Sequence, residues 1–334
     1  MASVTETWQV KTRRVFSGST LVGPLAVFLA VFVLLSIFVP KFLSMRSVTG
    51  IINATSLTGT IAIGVAMLMI CGEFDLSVGS VMAVGGYLFG TFSMSGQPLL
   101  GLALAIVVPG LLGLINGLIL VWTGIPSFIV TLGTKYFYRG MLWVISGGQM
   151  LQTIGRPTIY NVFNGRFDLV NNLFADANFR TSLLWQLALV IVFQFILTRT
   201  SFGNHVFAIG GNAGAARGQG VRVGRVRVLN FVIASALAGF TGVILFSQYY
   251  TVRVASGDGL ELSAIAAAVV GGVLITGGAG SIWGALIGAL TISMLRTGVV
   301  LMDIPFIPAD NFEAIVGATI ILAVILNNYL RRRT

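Results

Sequence analysis

The apolar positions fall into long uninterrupted runs separated by short polar breaks, and the runs have the length of membrane spans. A helix needs about 20 apolar residues to cross a bilayer. Residues 21–39 carry no charge and predict a first span, and residues 50–71 predict a second, with Asn53 near its start. GEFDLSVG follows, holding Glu73 and Asp75. From 76 to 134 there is no Asp, Glu, Lys or Arg. That leaves room for two spans, with SMSGQP (93–98) as the turn between them and WTGIP (122–126) after the second. A fifth span over 126–146 carries Lys135 and Arg139, and a polar stretch over 147–180 follows it. Further spans are expected over 181–198 and 228–246. The uncharged run 262–295 is interrupted by GGAGS (277–281) and divides into two short spans, and a tenth is expected over 312–330. The predicted fold is all-α, a polytopic transmembrane bundle of about ten spans over residues 21–330. It is preceded by a cytoplasmic segment 1–20 and followed by a basic tail 331–334.

One polar break is unlike the others. Residues 199–227, RTSFGNHVFAIGGNAGAARGQGVRVGRVR, hold five arginines and the single histidine, His205, with no Asp or Glu. Arginine resists transfer across the bilayer, so a long basic segment between spans is expected in the cytoplasm. Placing both termini there as well puts eleven of the twenty Lys and Arg residues inside. An outer segment 296–313 would then hold Asp303, Asp310 and Glu313 against Arg296. The small residues of GGNAGAARGQG allow another surface to approach closely, which makes 199–227 the expected grip of a cytoplasmic partner.

Composition agrees with the pattern. Only 9% of the 334 residues are charged, 56% are hydrophobic and the mean hydropathy is +0.96, against about 25% charge in a soluble domain. The net charge of +10 therefore reads as a positive-inside bias rather than as a nucleic-acid surface. The 42 glycines suit close packing of membrane helices. Basic residues before 21–39 imitate a signal peptide, but no small-x-small site ends the run, so an uncleaved first helix is expected. A single cysteine, Cys71, excludes a disulfide framework.

The halves resemble each other. DLSVGSVMAVGG (75–86) aligns without a gap on ELSAIAAAVVGG (261–272), GLINGLI (113–119) has a counterpart in GALIGAL (284–290), and IPSFI (125–129) is echoed by IPFI (304–307). On the topology above, Asp75 falls at the inner end of one span and Glu261 at the outer end of another, so the repeats, about 50–146 and 228–330, would be inverted. Inverted repeats with Gly-interrupted helices are a transporter architecture.

Little here suits catalysis. There is no H-E-x-x-H and no G-x-x-x-x-G-K-[ST], so neither a zinc hydrolase nor an ATPase with its own P-loop is expected. No metal ligand set and no cofactor site is expected either. Glu73, Asp75 and Glu261 read as polar elements near a pathway or as acids favoured at helix N-termini. Asn53, Asn116 and Gln248 either face a pathway or join helices. Lys135 and Arg139, one turn apart, are expected to snorkel to an interface, the alternative being an aqueous path. Trp185 and Trp283 read as interface anchors.

Five runs carry a family resemblance: GEFDLSVGSVMAVGGY (72–87), NGLILVWTGIPSFIVTLGT (116–134), YRGMLWVISGGQ (138–149), FAIGGNAGAARGQGVRV (207–223) and VVGGVLITGGAGSIWGALIGAL (269–290). With them the chain, from about 21 to 330, resembles the permease subunit of bacterial ABC importers for monosaccharides, which are similar to branched-chain amino acid permeases. The resemblance implies a bacterial inner-membrane location and a second permease copy or sibling. It also implies a cytoplasmic ABC ATPase subunit and an extracytoplasmic sugar-binding protein. It further implies that a short helix holding Gly211, Asn212, Ala215, Ala216, Arg217 and Gly220 couples the ATPase to the pore. Gly218-Gln219 stand where the family has Leu-Ser, and Gly218 lowers helix propensity by about 1 kcal/mol relative to Ala. The alternative from the residues alone is an ion- or proton-coupled secondary transporter using Glu73, Asp75 or Glu261. A polytopic membrane enzyme is disfavoured by the absence of a His/Cys/acid cluster.

Overall fold

A computed structural model describes residues 21–155, 157–302, 314–319 and 321. The described residues form helices α1 (Val22–Phe38), α2 (Met45–Ile70), α3 (Val78–Met94), α4 (Pro98–Thr123) and α5 (Ser127–Ser146), then α6 (Thr158–Asn164) and α7 (Asp168–Asn171). They continue as α8 (Ser182–Arg199), α9 (Ser201–Gly218), α10 (Val223–Tyr249), α11 (Leu260–Val270) and α12 (Ile282–Met302). One antiparallel ribbon pairs β1 (Leu151–Gln152) with β2 (Thr251–Val252). Five helices, α2, α4, α8, α10 and α12, are long and apolar enough to cross a membrane, and α1, α3 and α11 are shorter apolar helices. Each of the first nine expected spans has a helix at its place. The tenth lies mostly outside the described residues, apart from helical residues within 314–319 and 321, as do the segment 1–20 and the tail 331–334.

Local chemistry sets the ends. Ser44 caps α2, its hydroxyl accepting from the Ser47 N–H at 3.3 Å, so α2 begins five residues before the expected start. Pro98 opens α4, where its missing N–H costs nothing. Gly124 (φ 70°) closes α4, its N–H returning to the Leu120 carbonyl at 2.9 Å. Arg296 lies inside α12, so the expected outer segment does not begin there.

Helix α2 is almost wholly buried and, with α10, forms the centre. Without a hydrophobic force between helices in lipid, association depends on close contact, and small residues permit it. Gly64 of α2 faces Ala234 of α10, Gly85 of α3 faces Gly239, and Gly113 of α4 faces Phe231 and Ser235. Pro109 cannot donate to the Ala105 carbonyl, and Gly239 packs on that part of α4, where a Cβ would overlap Ala105 and Pro109. Gly271 and Gly284 similarly join α11 to α12.

The expected polar loop 199–227 is mostly helix α9, and 223–227 already belongs to α10. The polar stretch 147–180 is also ordered, through β1, α6 and α7. Its Asn178 carbonyl accepts from Asn53 Nδ2 at 2.8 Å. Trp185 donates to the Val162 carbonyl at 2.9 Å and stacks on Phe163.

Candidate functional site

Two interrupted helices meet at the centre of the bundle. Helix α2 ends at Gly72 (φ 86°), whose N–H returns to Met69 while that of Glu73 returns to Leu68, both at 2.9 Å. This is a Schellman motif, a stop that favours glycine at the left-handed position. Helix α11 ends the same way. Gly272 (φ 84°) donates to Val269 and Val273 donates to Ala268, each at 2.9 Å.

Between Gly72 and α3 the chain is not helical, so its backbone donors need other partners. Helix α5 supplies them. The Ser127 hydroxyl accepts from Phe74 N–H at 3.0 Å and Thr131 Oγ1 accepts from Leu76 N–H at 3.1 Å. Asp75, fully buried, accepts from the Ser77 N–H at 2.7 Å and its hydroxyl at 2.6 Å. Asn116 of α4 donates to Ser77 Oγ at 2.9 Å and accepts from the Tyr138 hydroxyl at 2.8 Å. Three helices are thereby tied to the break through one carboxylate.

Asp75 precedes α3 and Glu261 lies in the first turn of α11, and the two helix starts face each other. A Cβ on Gly79 would overlap both the Gly257 carbonyl and the Glu261 carboxylate. The two acids therefore share one region instead of lying at opposite membrane faces, as the sequence suggested. Helix α11, 11 residues long, extends only about 16 Å at 1.5 Å per residue, too short to span a core of about 30 Å. The aligned motifs also part company at their Gly-Gly ends: Gly85-Gly86 lie within α3, whereas Gly271-Gly272 stop α11.

The cations of α5 enter this region. Lys135 ion-pairs with Glu261 and, at 3.4 Å, with Asp258; Arg139 reaches Asp258 at 3.3 Å and donates to Ser80 Oγ at 3.1 Å. Their side chains are only 17% and 16% exposed. Lys135 is drawn from the expected snorkelling into a pair with buried Glu261, while Arg139 reaches Asp258, which is 60% exposed. Asp75 Oδ2 and Glu261 Oε2 are both buried without a hydrogen-bond partner, so each retains an open acceptor. Among the described residues, no group of three His, Cys, Asp or Glu is placed to hold a metal ion.

Of the remaining candidates, Asn53 and Gln248 lie apart from this centre, while Glu73 belongs to the first break. Asn53 secures the polar stretch, and Gln248 lies at the far end of α10 beside β2. Glu73 pairs with Arg227 at 2.8 Å. Sequence reasoning missed Ser77, Ser80, Ser127, Thr131, Tyr138 and Asp258. A signal existed for α5: positions 127, 131, 134, 135 and 138 are polar at helical spacing, which marks a polar stripe on an otherwise apolar helix. Beside that stripe a cavity of about 850 Å³ opens between α3, α4 and α5, lined mainly by apolar side chains, with Tyr138, Thr134 and Gln149 at its edge.

The coupling candidates form one device. Asn212 leaves the helical region (φ −158°, ψ 101°) and divides α9. Its Oδ1 then accepts from the Ala215 N–H at 2.9 Å, capping the second segment as an N-cap asparagine does. Gly220 (φ 85°) ends that segment with another Schellman pair, Gly220 to Arg217 at 3.0 Å and Val221 to Ala216 at 3.1 Å. Gly218 is thus held inside a helix capped at both ends. Ala216 faces the core, while Ala215 and Arg217 are exposed. Just before the break, Gly210 lies against the Ile70 carbonyl and Gly278, and Gly278 N–H donates to Ile70 at 2.9 Å. The end of α2, the middle of α9 just before its kink and the loop after α11 therefore touch at three glycines, Gly72, Gly210 and Gly277.

Comparison with known proteins agrees with this architecture. The family model for the permease component of branched-chain amino acid transport systems matches residues 47–324. The L-arabinose ABC transporter permease protein AraH of Azospirillum brasilense is 32% identical over 93% of this chain and 88% of the relative. The ribose import permease protein RbsC of Bacillus subtilis is 31% identical over 97% of this chain and 98% of the relative. The autoinducer 2 import system permease protein LsrC of Salmonella typhi is 32% identical over 82% and 76%. No solved structure matches. An apolar helical bundle matched over most of its length has one consequence: the chain belongs to this family of transport-system permease components and is a multi-pass membrane protein.

Proposed function

We propose that the chain is the permease subunit of an ABC importer and carries a monosaccharide inward. A cytoplasmic ATPase drives it, an extracytoplasmic sugar-binding protein delivers the substrate, and a second permease copy or a sibling completes the pathway. Both termini and the 199–227 segment lie in the cytoplasm of a bacterial inner membrane. The observation that carries this reading is the three-glycine contact, which joins the capped segment after Asn212 to both helix breaks. A push on Arg217 reaches the Gly72 and Gly277 breaks across the Asn212 kink, through Gly210 two residues before it. The halves then rock about the facing starts of α3 and α11, as alternating access requires. The open acceptors of Asp75 and Glu261 suit sugar hydroxyls, Asn116 bracing the first through Ser77, while the mostly apolar lining of the adjacent cavity suits passage without tight binding. Selectivity then resides chiefly in the delivering protein.

A tagged chain purified from its own membrane is expected to bring down an ABC ATPase, and proteoliposomes holding both are expected to take up labelled monosaccharide only with ATP and the binding protein. Arg217→Glu is expected to lose ATPase association and uptake while keeping its melting temperature. The buried carboxylates Asp75 and Glu261 favour one second reading, a proton-coupled carrier. Uptake driven by a pH gradient with no ATPase present would establish it and overturn the first.

A further inference from the structure

Beside the coupling segment, with which it shares Arg217, the C-terminal end of α4 and the start of α10 enclose a groove of about 680 Å³. Its floor is apolar: Leu118 and Val121 of α4, Val228 and Leu229 of α10. Its rim is cationic, formed by Arg217, Arg222 and Arg225, and no carboxylate lines it. All three guanidinium-bearing residues are exposed, and no ion pair engages them among the described residues. Three like charges around a groove repel one another unless an anion fills it.

The floor indicates which anion. Leu111, Ile115, Leu118 and Trp122 of α4 follow one another at helical spacing and are all exposed, at 51%, 45%, 50% and 93%. They form one apolar stripe that runs from the membrane-length face of α4 down to the groove. Trp122 at its end is the kind of side chain that marks the headgroup level of a bilayer. A soluble acidic peptide would meet the arginines and leave this stripe bare. A molecule with an anionic head and a long apolar tail satisfies both, its tail along α4 and its phosphate among the guanidinium groups. Basic pockets between membrane helices bind anionic lipid headgroups in this way, and a guanidinium matches a phosphate through paired hydrogen bonds.

We propose that this groove holds one anionic glycerophospholipid of the cytoplasmic leaflet. The lipid screens the arginines beside the coupling segment and anchors the start of α10.

The test is native mass spectrometry of the full chain in detergent, with phosphatidylglycerol or phosphatidylcholine titrated in. Wild type is expected to retain one phosphatidylglycerol in preference to phosphatidylcholine. Arg222→Gln/Arg225→Gln is expected to bind it roughly thirty-fold more weakly, given the attraction of two basic residues near the surface. Arg222→Lys/Arg225→Lys keeps the charge and is expected to recover most of the preference. Should the glutamine variant not fold, salt supplies the second measurement. The wild-type preference for phosphatidylglycerol is expected to shrink as ionic strength rises, and a salt-independent preference overturns the proposal. Equal retention of the two lipids by wild type overturns it, as does unchanged phosphatidylglycerol binding in the glutamine variant. If that variant keeps the lipid and instead loses the co-purifying ATPase, the groove is a protein dock and the lipid proposal is wrong.

Discussion

The two helix breaks, 72–77 and 271–281, begin with the same terminal motif and are then filled in opposite ways. The first is short and braced by side chains. Ser127 and Thr131 take its backbone donors, Asp75 and Ser77 close on each other, and Asn116 and Tyr138 brace them. The second is longer and held mostly by its own backbone, through Leu274 to Ala279 at 3.0 Å and Gly277 to Leu274 at 3.1 Å. It contains Gly277, Gly278 and Gly280, all with positive φ. Side-chain bonds fix the first break, while glycine leaves the second free to deform. The lesson is that one break supplies a rigid seat and the other a compliant joint, with Gly210 bearing on both.

Replacing Gly210 tests both breaks at once and has the largest expected effect. Gly210→Val drives a branched side chain into the Ile70 backbone and Gly278, and uptake is expected to be abolished together with a lowered melting temperature. Gly211→Ala, whose Cβ meets nothing within 4 Å, is expected to keep both. Next comes the ion pair that joins α5 to the start of α11. Lys135→Met leaves Glu261 buried and unpaired, and a loss of about 3–5 kcal/mol in thermal or denaturant unfolding is expected. Adding Glu261→Gln is expected to restore part of it.

The seat itself is tested by Thr131→Val, which strands the Leu76 N–H and is expected to destabilise by about 1–3 kcal/mol, with Thr131→Ser restoring most of it. If the valine variant unfolds like wild type, the first break is not held by α5. The joint is tested by Gly278→Ala, which forces a left-handed conformation at a cost of about 1–2 kcal/mol and also brings its Cβ to 2.9 Å from the Gly211 backbone; uptake is expected to fall further than stability does. Equal losses of both would remove the distinction between seat and joint.

Spans were legible because hydrocarbon length imposes a run of mostly apolar residues, and a charge facing lipid is costly wherever it falls. The segment 207–223 was harder to read. Its glycines and alanines carry no hydrophobic stripe, so it resembles a loop, yet Asn212 at the start and Gly220 at the end are helix caps visible in the sequence. Lys135 and Arg139 were misread because a lone cation on a helix carries no information about its partner. Asp258 and Glu261 lie more than a hundred residues away and only folding brings them near.

By itself the sequence determined a membrane-bound, all-helical chain with one basic segment between its spans, because transfer free energies act residue by residue along the chain. Only the tertiary structure decided that Asp75 and Glu261 face each other, that α5 satisfies the first break, and that Gly72, Gly210 and Gly277 touch. Those facts depend on hydrogen bonds and close contacts between segments far apart in sequence, whose partners no local pattern specifies.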